Sequence, residues 1–134
     1  MPRLPDWQPR LVRWLELSAR RPFEPGRHDC ALFLAGAVEA MTGVDHAAPF
    51  RGRYTTMRGG LRILRKAGFA DHIALAAHHL REIAPRAARP GDGLVVDTPE
   101  GPALGLCQGE AVYVLSPGRL ALVPASRALR AFEV

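Results

Sequence analysis

Lysine is almost missing from this 134-residue chain: of 18 basic residues, only Lys66 is not arginine. The net charge is +5, but the arginines are scattered along the whole length, and aromatics make up only 7% of the residues. Nucleic-acid binding calls for a basic face that meets phosphates. That clustering is absent, so the charge reads as a solvated surface and no nucleic acid is expected as a partner. Cysteine is scarce too. Cys30 and Cys107 cannot staple a disulfide scaffold, and without an export signal free thiols are the default. With His28 as a third scattered ligand and no paired Cys-x-x-Cys spacing, no metal or other cofactor is expected. No stretch approaches the ~20 apolar residues that span a bilayer, so no membrane partner is expected. "MPRLPDWQPRLVRWLELSARR" has no apolar core followed by a small-residue cleavage site. The expectation is a protein kept in the cytoplasm, or one that leaves as part of something larger. "RGGLR" lacks the Walker lysine and hydroxyl, which excludes a phosphate-binding loop. There is no internal repeat. At 48% hydrophobic and 23% charged residues, the chain reads as one globular domain over 1–134.

What is present divides into a helical first half and a strand-rich second half. Leu11, Trp14, Leu15 and Ser18 recur at helical spacing, with Asp6 as N-cap and Pro9 in the first turn. Pro22, Pro25 and Gly26 break the chain. A second helix is expected from about Asp29 to Met41; it is apolar nearly all round, hence central, and closes on Gly43. Residues 44–56 read as an irregular loop. "MRGGLRILRKAGF" reads as an amphipathic helix closed by Gly68, and "DHIALAAHHL" as a short fourth helix. The period then changes. Turn signals separate strands over Leu94–Asp97, "PALGLCQG", "EAVYVL", "RLALVP" and "ALRAFEV". Helices followed by strands indicate an α+β fold with an antiparallel meander against the second helix.

Cys30 stands where that helix is expected to start. Unpaired N–H groups at a helix N-terminus favour a thiolate and can build an oxyanion hole. A hydrolase also needs a histidine paired with the sulfur and a polar group orienting that histidine. Without them, a buried cysteine is a small hydrophobe.

"PFEPGRHDCALF", "RPGDGLVV" and "PALGLCQG" together resemble the NlpC/P60 branch of the papain-like cysteine peptidases. Phe23 and Gly26 fall in the lead-in, Asp29 and Cys30 match the family's "DC", and Gly91 and Asp92 its "GD". Gly105 and Gly109 match the glycines of its "HVGIYlG" strand. The ordered set covers roughly residues 22–123. The pattern is also similar to a small family found in tail-gene clusters of phages and prophages. The resemblance implies a papain-like α+β fold, its nucleophile helix packed on an antiparallel sheet of four to six strands. It implies a catalytic set of Cys30 with Asp29 beside it. The departures are equally specific. Ala103 stands where the family has its histidine, the orienting residue falls at Val114 or Leu115, and Ala31 and Leu32 follow the nucleophile. Such a set implies a pseudoenzyme.

Five histidines could in principle substitute. His28 lies two residues from Cys30 and is the strongest candidate for a relocated base. His46 lies in the long loop, and His72, His78 and His79 lie in the fourth helix. "FRGRYTT" offers Phe50, Arg51, Arg53 and Tyr54 as an interface anchor, against a reading in which Tyr54 packs on the core. Two functions are therefore carried forward. One is a non-catalytic phage-tail or tail-assembly protein whose partners are other tail or tail-tip proteins and whose destination is the virion tail. The other is an active cysteine amidase or endopeptidase acting on cell-wall peptides.

Overall fold

The structure is a computed structural model that describes residues 2–134. Four helices precede a six-stranded sheet: α1 Trp7–Arg20, α2 Phe33–Thr42, α3 Met57–Lys66 and α4 His72–His79. The strands are β1 Arg81–Ile83, β2 Gly93–Thr98, β3 Gly101–Cys107, β4 Ala111–Ser116, β5 Arg119–Pro124 and β6 Ala128–Glu133. The sheet order is β1-β6-β2-β3-β4-β5, and every neighbouring pair is antiparallel. The α+β class and the helices-then-strands order are as expected.

Three local expectations are corrected. The second helix begins at Phe33, because residues 29–32 form a turn held by the Asp29 side chain. Asp6 holds the N-cap position of α1 as expected, but its side chain makes no capping bond there and pairs with Arg10 at 2.8 Å on the surface. β1 was not expected: three residues with two charges carry no alternation to read. Other ends agree with the sequence. Gly43 closes α2 at φ +81°, its N–H donating to the Glu39 carbonyl. Thr56 caps α3 through the Gly59 N–H and offsets the weakness of Gly59 and Gly60 there.

Alternation along the strands gives the sheet two apolar faces. Val95, Leu104, Leu106, Leu115 and Phe132 pack on Phe33, Leu34, Val38 and Met41 of α2, which is buried nearly all round as its composition requires. Leu94, Val96, Cys107, Val112 and Ala131 form a second cluster on the other face, with Ala103 packed against it. Register follows this parity, with Val95 opposite Leu104 and Val96 opposite Ala103.

A buried carboxylate ties the sheet to the chain's first residues. Asp92 accepts from Arg3 Nη2, the Arg89 N–H and the Val134 N–H, each at 2.9 Å. This locks the turn entering β2 to the end of β6. α1 crosses α2 at Gly36, where a Cβ would lie 2.7 Å from the Trp14 ring, itself 4.8 Å from Phe33 between centroids. Alanine is the better helix former by about 1 kcal/mol, but overpacking here costs about 1–3 kcal/mol. Gly36→Ala is therefore expected to lower the urea midpoint and shift Trp14 fluorescence; a raised midpoint would mean the helices can separate freely.

Candidate functional site

The segment between α1 and α2 is folded around one side chain. Asp29 is fully buried and accepts from the Gly26 N–H at 2.8 Å, the Ala31 N–H at 3.0 Å, the Leu32 N–H at 2.9 Å and the Tyr54 hydroxyl at 2.6 Å. A carboxylate offers about four lone-pair sites, and all are filled. Two of these bonds hold the turn that leads into α2, and the Asp29 carbonyl accepts from the Phe33 N–H at 3.0 Å. The third closes the Pro25–Gly26 bend, and the fourth reaches across to the 44–56 loop. Gly26 is obligatory there: its φ is +86°, and a Cβ would collide with the Tyr54 carbonyl oxygen. Gly60 makes room for the Tyr54 ring, 2.8 Å from where its own Cβ would stand. Burial and the Asp29 hydrogen bond push the Tyr54 hydroxyl's pKa up, so it remains a donor.

Cys30 sits on this turn, half-buried, with a free thiol. Burial is the largest effect on it, and the Asp29 charge acts in the same direction. Together they push the thiol up against the pull of the Cys30 and Ala31 N–H groups. The expected thiolate-stabilising helix terminus is thus outweighed. Among the described residues, no side chain hydrogen-bonds to the Cys30 sulfur.

His28 does not serve it. It is buried, and its Nε2 lies 3.2 Å from the Ser18 carbonyl, joining the segment to α1. Burial lowers its pKa against the pull of that carbonyl. Its backbone pairs with Glu24 in a tight hairpin. Nor does the position at which the resemblance would place a histidine face α2. Ala103 lies in the cluster on the sheet face away from α2, whereas Leu104 points toward it. Val114 lies on the far face and Leu115 on the α2 face, both apolar.

The aromatic-arginine loop is used mostly from within. Phe50 is in a small core with Leu64 and Leu75, against which Tyr54 also packs. Arg51 donates two hydrogen bonds to the Asp45 carboxylate, at 2.6 and 3.2 Å. Arg53 alone of the four projects freely into solvent.

The histidines hold a feature the sequence did not reveal. His46, only 8% exposed, stacks on His79 of α4 with ring centroids 5.3 Å apart, and His79 meets His78 edge-on at 4.9 Å. His46 Nδ1 and His72 Nε2 are buried without a partner. Among the described residues, no group of three His, Cys, Asp or Glu side chains converges to hold a metal.

One family model, described as a domain of unknown function (DUF6950), matches residues 2–134. The chain belongs to the DUF6950 family. No curated protein and no solved structure matches it. The match spans both the Asp29 turn and the Asp92 clasp, so in this DUF6950 chain the two buried aspartates belong to one domain unit.

Acid should act on the chain through its buried histidines. Burial and the facing His79 bring His46 from 6.5 down to about 4, against Asp45 on its own loop and with Arg51 adding to the fall. A lowered histidine pKa means that the folded state binds fewer protons than the unfolded state. This stability is complete above about pH 6.5 and is lost as pH falls through about 4, worth at most roughly 3 kcal/mol. The urea midpoint is expected to be flat above neutrality and to fall over that window. His46→Gln should flatten the fall; an unchanged slope would assign it to other groups.

Proposed function

We propose that the chain is a non-catalytic scaffold of the NlpC/P60 kind, working in the tail or tail assembly of a phage or prophage. The observation that carries the reading is the setting of Cys30. The nucleophile position lies on a turn before a buried helix, yet burial and the Asp29 charge push its thiol toward the protonated form and, among the described residues, no imidazole hydrogen-bonds to it. Loss of the base from such a triad removes several orders of magnitude in rate. The ordered "DC", "GD" and glycine motifs support the peptidase ancestry, and the α2-on-sheet arrangement is compatible with it. On this reading Asp29 and Asp92 survive because the fold needs them, and the protein's work is contact with other tail or tail-tip proteins. Relocation of the base to His28 is opposed by its bond to Ser18.

The test has two arms. Purified protein should release no fragments from muropeptides beyond what Cys30→Ala releases. Deleting the gene from its element should deplete tailed particles, with Cys30→Ala restoring them. Cys30-dependent cleavage would overturn the loss of chemistry, and undiminished particles on deletion would overturn the tail role.

A further inference from the structure

The two edges of the sheet are guarded very differently. β1 is three residues long and charged, with Glu82 held by Arg130 of β6 at 2.8 and 3.0 Å. Short, charged edges resist pairing with another strand. β5 is twice as long, and its interior, Leu120 to Val123, has no charge. Among the described residues it pairs with β4 alone. The two-residue turn Pro117–Gly118 makes Ser116 and Arg119 the closing pair, which leaves the N–H and carbonyl groups of Leu120 and Leu122 directed outward. Leu122 is 58% exposed on the same face as Leu120. Beside them a groove of about 440 Å³ runs between α1 and the sheet, lined by Leu11, Val12, Leu15, Tyr113 and Leu120. Val12, on its rim, is 54% exposed.

The geometry points to a second copy of this chain on that edge, β5 pairing antiparallel with β5 about a two-fold axis at Ala121. The strand is self-complementary in this arrangement. Leu120 of each copy stands beside Leu122 of the other, the outward N–H and carbonyl groups bond reciprocally, and the exposed leucines close over the mouths of the two grooves. A two-fold interface needs this property of a single surface patch. Charge agrees with it. Arg119, the only charged residue of β5, is exposed and makes no ion pair among the described residues. The axis sends each Arg119 to the opposite end of the paired strands, away from its counterpart. There it approaches the end of the other β5 where Glu110, also exposed, lies alongside, its backbone carbonyl accepting from the Ala125 N–H. Joining the edges makes one twelve-stranded sheet and removes the one long unguarded edge.

Sedimentation equilibrium of the whole chain, from low-micromolar to submillimolar concentration, tests the proposal. The wild type is expected to dimerise. Leu122→Lys, a change at an exposed side chain, should weaken the dimer by at least about tenfold with the near-ultraviolet circular dichroism unchanged. Arg119→Glu should weaken it, and Arg119→Glu combined with Glu110→Arg should restore it. A chain monomeric throughout the range, or a dimer indifferent to Leu122→Lys, would overturn the proposal. So would a charge swap that restores nothing.

Discussion

The carboxylate of Asp29, buried and filled by four donors, is the constraint on which the helical half depends. Taking a carboxylate out of water is costly unless it is fully hydrogen-bonded, so the chain around it is shaped to supply donors. The Pro25–Gly26 bend brings one N–H, the turn into α2 brings two, and the 44–56 loop brings a phenol. From those bonds follow the position of α2 against the sheet and the seating of Tyr54 over Gly60. Asp92 plays the corresponding part in the sheet half, joining the β2 turn, the end of β6 and Arg3. Two buried aspartates thus each fasten a bend of the chain, one in the helical half and one in the sheet half.

Much of this architecture was legible in the sequence because burial imposes period. The all-round apolar second helix and the alternating strands from Leu94 onward leave little choice of element or order. The start of α2 was misplaced for a local reason: Asp29 hydrogen-bonds forward to the N–H groups that a helix would have used, and so spaces the turn from the helix. β1 escaped notice because "REI" is too short and too charged to show alternation. Composition cannot tell an aromatic that faces a partner from one that faces the core, so for Phe50 and Tyr54 the sequence leaves both readings open, and the structure packs them with Leu64 and Leu75. The His46–His79 stack joins residues 33 positions apart and leaves no signature in either segment.

The surroundings of Cys30 disfavour ionisation of its sulfur. A cysteine before a buried helix becomes reactive when positive potential outweighs burial. Here burial withholds solvent, and a filled carboxylate one residue away adds negative charge. Strand parity adds a second obstacle. A histidine placed at position 103 would lie on the face of the sheet that α2 does not touch. The arrangement builds a well-ordered turn around Asp29 and leaves the Cys30 sulfur with no side chain among the described residues to favour its ionisation.

Site-resolved alkylation of Cys30 by iodoacetamide, followed by peptide mass spectrometry across the pH range, tests this account most directly. The account predicts a single inflection above the free-thiol value of about 8.5, with slow reaction at neutrality. An inflection at or below pH 7, accompanied by a second one from a histidine, would reveal an ion pair at Cys30 and contradict it.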